Sequence, residues 1–78
     1  MLLNNFSTPK QSLIIIGSNI ITIFNDEKLE YVEIKKLYNS YNNLFGFLSY
    51  SYFMLGLDFL FIVGYIELNE NGVIELCK

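Results

Sequence analysis

Residues 66–76 have the sequence IELNENGVIEL, in which apolar and acidic residues alternate on both sides of a short polar stretch. Such alternation is typical of half-buried strands, so two antiparallel strands are predicted. They leave Glu70–Gly72 as a three-residue loop, and its last residue has to adopt the left-handed conformation that glycine reaches without strain. The predicted register pairs Ile66 with Leu76, Glu67 with Glu75 and Leu68 with Ile74. This stretch therefore predicts a β-hairpin with an acidic outer face.

A first helix is predicted from Pro9, or the residue after it, to Phe24. Thr8 can cap its first turn, and proline suits the first helical position because it has no N–H group to leave unpaired there. At 100° per residue, one apolar face and its flanks collect Leu13, Ile14, Ile16, Ile20, Ile21, Ile23 and Phe24. Ile15 points nearly opposite to the centre of this face. It is therefore expected on the surface of the domain.

A second helix is predicted from Tyr31 or Val32 to Asn42. Before it, residues 25–28 interrupt the apolar pattern and make a turn, and Leu29 and Tyr31 suit a short extended piece. The residues at helical spacing are Ile34, Leu37, Tyr38 and Tyr41. The residues that face away are Lys35 and Lys36, which are read as a solvated face. The second helix is therefore expected to be amphipathic.

A third helix is predicted to begin at a serine cap, Ser49 or Ser51, and to end at Gly64. Gly46 supplies the backbone freedom of the turn before it. The apolar stripe of this helix contains Tyr50, Phe53, Met54, Leu57, Leu60 and Phe61. It is widened by Leu55, Phe59, Ile62 and Val63. The apolar surface therefore exceeds that of an ordinary amphipathic helix.

Three helices followed by a hairpin predict an α+β fold of the winged helix-turn-helix type. Residues 1–78 are read as a single domain, with residues 1–8 as an N-terminal arm and residues 66–77 as the wing. A domain this small buries only about 60% of its unfolded surface. Yet 53% of the residues are hydrophobic and 17% aromatic, against a usual apolar share of about 45–50%. Part of the apolar surface is therefore expected to face a partner.

The charge distribution disfavours nucleic acid as a ligand. The net charge is −3, whereas a protein that neutralises phosphates needs the opposite sign. Residues 49–77 would form the DNA-reading helix and the wing, and they contain no Lys or Arg. Their acidic residues are Asp58, Glu67, Glu70 and Glu75. We therefore expect no direct nucleic-acid binding, and a winged-helix DNA-binding regulator is an alternative function only.

A small single-span membrane protein is the other alternative. Residues 44–66 are long enough to cross a bilayer, and their only formal charge is Asp58. That charge lies near the middle of the segment, where insertion costs about 2.5–3.5 kcal/mol, and no Lys or Arg closely flanks either end. The polar-aromatic run Ser49–Tyr52 shortens the apolar helix further. With no signal peptide evident, the chain is expected to be cytoplasmic and not to enter the membrane.

The sequence lacks the parts of a catalytic site. It contains no His, the usual acid–base group near neutral pH, and no Gly-rich phosphate loop or metal-ligand spacing. Its single cysteine, Cys77, is read as a reduced thiol. No enzymatic activity, cofactor or metal is therefore expected. Asp58 is either a solvated residue on the polar side of the third helix or a charged anchor for a basic residue of a partner.

Three stretches carry a resemblance to a known family: residues 2–13, residues 55–64 (LGLDFLFIVG) and residues 66–72 (IELNENG). Together they resemble the sixth class of middle components of the bacterial ABC-three-component conflict systems. The resemblance implies a winged-helix adaptor in a hetero-oligomeric complex, joining an SMC-like ABC ATPase to an effector in antiphage or antiplasmid defence of the Lamassu kind. It implies no catalytic residue.

Five residues are the candidates for contact with these partners: Leu2, Leu3, Phe6, Ile15 and Asp58. An isoleucine at position 15 gains nothing from the core if the opposite face of the first helix is the buried one. The apolar residues of the N-terminal arm lie close to it in sequence. We therefore expect the arm and Ile15 to form one docking patch, with Asp58 as a separate charged contact.

Overall fold

The computed structural model describes residues 9–77 of the chain. Its elements are α1 Pro9–Asp26, β1 Tyr31–Glu33, α2 Ile34–Phe45, α3 Tyr50–Val63, β2 Ile66–Leu68 and β3 Val73–Leu76. The strands form one antiparallel sheet in the order β1-β3-β2. The predicted α+β class and its winged-helix-like layout are confirmed.

Helix α1 begins at Pro9, as predicted, and the expected capping residue Thr8 lies outside the described residues. It continues two residues beyond the predicted end at Phe24. The helix is closed by a hydrogen bond that the Leu29 backbone N–H donates to the Phe24 carbonyl over 2.9 Å. Lys28 makes this closure possible with a φ of 54°, a left-handed conformation that is usually left to glycine.

The second helix starts later than predicted, because residues 31–33 form strand β1. The register pairs Tyr31 with Glu75, Val32 with Ile74 and Glu33 with Val73. The prediction of a helix from Tyr31 or Val32 is therefore wrong. The backbone groups of this segment bond to β3, far along the chain, and this tertiary pairing overrides the local helical spacing. The short extended piece expected at Leu29 and Tyr31 lies further along the chain, since strand β1 begins at Tyr31 and does not include Leu29.

The second helix also ends later than predicted, three residues beyond Asn42. Asn42 lies within the helix, and its side-chain Oδ1 accepts a hydrogen bond from the Leu48 backbone N–H over 3.0 Å. The helix ends at Gly46, whose φ of 93° is strained for other residues. Of the two predicted caps for α3, the structure uses Ser49, whose Oγ accepts from the Tyr52 N–H over 3.4 Å.

The hairpin has the predicted register and loop. Gly64 ends α3 before it in the left-handed conformation, and Gly72 in the loop has a φ of 75°, both as predicted. Asn69 holds the loop together, since its Oδ1 accepts hydrogen bonds from the N–H groups of Asn71 over 2.8 Å and Val73 over 3.2 Å. Because β3 also pairs with β1, the wing belongs to a three-stranded sheet.

The core brings residues of all three helices together with one face of the sheet. It contains Ile16, Ile20, Ile23, Phe24, Leu37, Tyr41, Phe53, Leu57, Leu60, Ile66 and Ile74. The predicted inner face of α1 is confirmed, with Leu13 half-buried at its edge. Only three of the six stripe residues predicted for α3 are buried. Tyr50 is exposed at the helix start, and Met54 and Phe61 are half-buried, so much of α3 remains uncovered.

Two glycines allow α1 and α3 to pack closely. A Cβ atom on Gly56 would overlap Cγ2 of Ile16. A Cβ atom on Gly17 would lie 3.1 Å from Cδ2 of Leu60 and 3.2 Å from Cδ2 of Phe59. Since any larger residue at position 56 has to displace Ile16, the helix crossing depends on that glycine.

Candidate protein-binding surfaces

Within residues 9–77, more large hydrophobic side chains are exposed than belong to the core. Eleven hydrophobic side chains form the core and thirteen large ones are exposed. The exposed ones are Ile14, Ile15, Tyr31, Leu44, Phe45, Phe47, Tyr50, Tyr52, Leu55, Ile62, Val63, Tyr65 and Leu68. Isolated apolar residues are ordinary on a protein surface, but grouped ones mark binding sites. They lie mainly on α1, along α3, and at the end of α2 together with the loop that follows it.

Ile15 lies on the surface of α1 with 56% of its side chain exposed, as its position in the helical pattern predicts. Asn19, one turn further along the same side, donates a hydrogen bond from Nδ2 to the Tyr41 hydroxyl over 3.0 Å. This side of α1 therefore borders α2. The remaining members of the predicted docking patch, Leu2, Leu3 and Phe6, lie outside the described residues.

The outer side of α3 has a line of exposed residues, Ser51, Leu55, Asp58 and Ile62, which we name the α3 stripe. Ile62 has 83% of its side chain exposed. Asp58 lies between Leu55 and Ile62, three residues after one and four before the other, the spacing of neighbours on a helix surface. The structure thus places Asp58 among exposed apolar residues, apart from Ile15.

An open apolar groove of about 480 Å³ runs between α1 and α3, and we name it the α1–α3 groove. It is lined by Ile14, Gly17, Ser18, Ile21, Phe59, Leu60 and Tyr65. The missing side chain of Gly17 keeps it open. Ile15 is rotated by about 100° from Ile14 around α1, towards the side that borders α2. Neither Ile15 nor any residue of the α3 stripe lines the α1–α3 groove.

The loop between α2 and α3 projects an aromatic side chain, Phe47, which is 84% exposed. The loop is held from both directions. The Tyr38 hydroxyl donates to the Leu48 carbonyl over 2.7 Å, and the Leu48 N–H donates to Asn42. These two bonds fix the backbone beside Phe47, so the exposed ring extends from a loop that is held in place by hydrogen bonds.

The formal charges of α3 and the hairpin are all negative. Glu67 and Glu75 lie directly opposite each other on the sheet and both are exposed. Lys35 and Lys36 are exposed on α2, as predicted for its solvated face. An approaching phosphate backbone would therefore meet negative charge on α3 and on the hairpin.

The Cys77 thiol lies beside two carboxylates of the hairpin, and its Sγ donates a hydrogen bond to Oε2 of Glu67 over 3.4 Å. Desolvation, this hydrogen bond and the negative charges of Glu67 and Glu75 raise the pKa of the thiol. A raised pKa keeps the group protonated and weakly nucleophilic at neutral pH. Among the residues that the structure describes, no group of three or more His, Cys, Asp or Glu is arranged to hold a metal ion.

The segment proposed for a membrane span, residues 44–66, is divided in the structure by the loop between α2 and α3. Over residues 9–77, no single helix combines the length and the apolar character needed to cross a bilayer. Helices α2 and α3 meet those criteria only when taken as a pair, and they are bent by 108° relative to each other.

Sequence reasoning missed the α1–α3 groove, the projecting Phe47 and the role of Asn69. A glycine in the middle of an apolar helix, as at Gly17, is a signal of close packing or of a groove. An exposed aromatic beside Gly46 has no such signal, because its exposure depends on how the loop is held. Asn69 stands two and four residues before the N–H groups that it binds, a spacing typical of asparagine in turns.

The chain was compared with families, curated proteins and solved structures. The family model of the ABC-three component (ABC-3C) system middle component 6 matches residues 3–77. No curated protein and no solved structure matches the chain. The matched span covers all the helices and strands described above. The chain therefore belongs to the middle component 6 family of ABC-three-component systems.

Proposed function

We propose that this middle component is a non-catalytic adaptor, which links an SMC-like ABC ATPase to a separate effector in a cytoplasmic antiphage or antiplasmid defence complex. One observation supports the proposal most: exposed apolar side chains lie on two different helices, Ile15 on α1 and Leu55 and Ile62 on α3, and none of them lines the α1–α3 groove. A linker needs one surface for each partner. Membership in a multi-component system provides the context in which such surfaces become covered.

The first surface is Ile15 on α1 together with Leu2, Leu3 and Phe6 of the N-terminal arm. Ile15 is exposed although its helix also supplies four core residues, so its apolar side chain does not stabilise the folded chain by burial. Covering an isoleucine that is half exposed contributes on the order of 1 kcal/mol to association. In the sequence, the arm directly precedes α1 and contributes the apolar residues Leu2, Leu3 and Phe6.

The second surface is the α3 stripe, with Leu55 and Ile62 around Asp58. Its apolar residues are exposed on a helix whose opposite side is buried in the core. A non-catalytic role is supported by the chemistry of the titratable groups. Histidine is absent, the raised pKa of the Cys77 thiol keeps it protonated at neutral pH, and Asp58 is exposed and does not line the α1–α3 groove.

The test is co-purification of the chain with the ATPase and the effector encoded beside it. We expect Ile15→Asp to abolish capture of one partner, because a carboxylate forced into an apolar interface loses its hydration. Its circular dichroism should match the wild type, since a surface substitution usually changes stability by about 0.5 kcal/mol or less. Leu68→Asp introduces the same carboxylate at an exposed position of the hairpin and should leave capture unchanged.

Ile20→Asp is the control for the face assignment, because Ile20 is fully buried and an unpaired buried carboxylate should unfold the domain. Two results would contradict the proposal. Unfolding of Ile15→Asp would show that both sides of α1 are needed for folding. Full capture of both partners by a folded Ile15→Asp variant would show that this surface is not an interface.

A further inference from the structure

The spacing of the α3 stripe is that of a helix-packing seam. Its members Ser51, Leu55, Asp58 and Ile62 are separated by four, three and four residues, and all four are exposed. This 4-3-4 spacing places side chains along one line of a helix and is the pattern by which two helices pack side by side. On a helix that faces only solvent, those positions carry polar residues. Leu55 and Ile62 therefore indicate a second helix.

Asp58 lies within this seam, and its charge restricts what can pack there. Its neighbours along the seam, Leu55 and Ile62, are apolar. A helix that covers them also covers the carboxylate, which loses its hydration unless a cation or hydrogen-bond donor replaces it. No Lys or Arg occurs from residue 49 to residue 77, so α3 and the hairpin supply no cation of their own. A partner that covers the seam therefore has to bring a cation or another hydrogen-bond donor to Asp58.

We propose that the α3 stripe binds an amphipathic helix of a partner protein, in which apolar side chains flank one Lys or Arg that pairs with Asp58. This inference rests on the proposed adaptor function and specifies the chemistry of one of its partners. The pairing fixes the register of the two helices, because sliding by one turn would place the carboxylate against an apolar residue. Attraction between opposite charges also favours this partner over helices with an acidic seam.

The surrounding charges favour a protein helix over other large ligands. The net charge of the chain is −3, and the formal charges of α3 and the hairpin are all negative, so anionic lipid headgroups and nucleic acid are disfavoured as ligands. A partner helix with a basic residue in its apolar face is attracted by the same charges. The occupant is therefore a basic amphipathic helix of a protein.

The experiment measures the affinity of the full chain for the ATPase and the effector of its own system, with each partner purified separately. Asp58→Lys should weaken binding to one partner at least about tenfold, because it places two cations in a seam built for one pair. Asp58→Asn should weaken it less. Raising NaCl from about 0.05 to 0.5 M should weaken wild-type binding more than Asp58→Asn binding, since salt screens the ion pair.

Glu70→Lys is the matched control, because it makes the same charge change at the exposed loop of the hairpin, outside the seam. It should keep the wild-type affinity within about twofold, and circular dichroism should show that all three variants are folded. Ile62→Ala should also weaken binding, which would locate the contact on the α3 stripe. Equal affinities of wild type and Asp58→Lys for both partners would overturn the inference.

The same measurements separate this inference from the proposed function. If the wild-type chain binds neither partner, the adaptor function itself fails. If it binds both, and Ile15→Asp weakens binding whereas Asp58→Lys does not, only the helix-seam inference fails. Flotation of the chain alone with phosphatidylcholine vesicles, lost in Ile62→Asp, would overturn the inference by assigning the α3 stripe to a membrane.

Discussion

Helices α2 and α3 lie next to each other in the chain, and both pack on the same core, but their outer sides differ. On α2 the exposed side is polar over most of its length, with Lys35, Lys36 and Asn39. On α3 the exposed side presents Leu55 and Ile62 with a single charge between them. Helix α2 thus has the amphipathic pattern of a helix in contact with water, whereas α3 is apolar around most of its circumference.

The two helices are also attached to α1 in different ways. Tyr41 of α2 is linked to α1 by the hydrogen bond from Asn19. Helix α3 is attached by close packing across Gly17 and Gly56. Gly17 lies on α1 and Gly56 on α3, so each helix contributes one glycine to this contact. The comparison shows that α2 has a polar outer side, whereas α3 has an apolar outer side opposite its close contact with α1.

The largest effect is expected from charges on the buried sides. Leu37 of α2 and Leu57 of α3 are both fully buried, so Leu37→Asp and Leu57→Asp should each unfold the domain, because neither carboxylate finds a cation there. Ile62→Asp, on the outer side of α3, should leave the melting temperature nearly unchanged. Thermal unfolding followed by circular dichroism checks this. Unfolding of Ile62→Asp would show that the outer side of α3 is also needed for folding.

The next largest effects are expected from substitutions that weaken the contacts of α3 and of α2 with α1. Gly56→Ala places a methyl group against the side chain of Ile16 and should destabilise the domain by about 1–3 kcal/mol, in spite of the higher helix propensity of alanine. Tyr41→Phe removes one hydrogen bond and should cost about 0.5–1.5 kcal/mol. Urea unfolding measures both. A smaller loss of unfolding free energy for Gly56→Ala than for Tyr41→Phe would show that the α1–α3 contact readily accommodates a larger residue at position 56.

Smaller effects on stability are expected from substitutions of the glycines that end α2 and α3. Gly46 after α2 combines φ 93° with ψ 172°, a conformation adopted almost only by glycine. Gly64 after α3 has φ 86° and ψ 16°, a left-handed conformation that other residues reach at a cost of about 1–2 kcal/mol. Gly46→Ala should therefore destabilise the domain more than Gly64→Ala. The reverse order of urea midpoints would contradict the described ends of α2 and α3.

The smallest effect on stability is expected on the outer sides, where the difference appears in association. The chain expressed alone should self-associate through its exposed apolar residues. Leu55→Asp should reduce this association, and Lys36→Glu should not alter it, with stability changes of about 0.5 kcal/mol or less for both. Light scattering coupled to size-exclusion chromatography gives the mass. A monomeric wild-type chain would show that the exposed apolar side of α3 does not cause self-association.

The parts of the fold that depend on nearby residues could be predicted from the sequence. Alternation around Gly72 fixed the hairpin register, and the ends of α3 at Ser49 and Gly64 follow from capping chemistry. Strand β1 was mistaken for the start of a helix, because its partner Glu75 is remote in the chain and no local pattern indicates the pairing. Helix α2 continues through Asn42, whose side chain bonds to the next loop, and ends at the Gly46 cap.

The candidate surfaces were predictable to a smaller extent. The positions of Ile15 and Asp58 on helix surfaces follow from the 3.6-residue period. The α1–α3 groove does not, because it arises where two helices cross at Gly17. The exposure of Phe47 depends on the conformation of its loop, which is held by the hydrogen bond from Tyr38 of α2 to Leu48. Both are properties of packing, which a single sequence does not specify locally.

The most direct test of the adaptor role is the mass of the complex formed by the ATPase and the effector, measured by light scattering with and without this chain. We expect one complex that contains all three proteins when the chain is present. Without the chain, or with a chain carrying both Ile15→Asp and Asp58→Lys, the ATPase and the effector should elute separately. An ATPase–effector complex that forms equally well in the absence of the chain would contradict the proposed function.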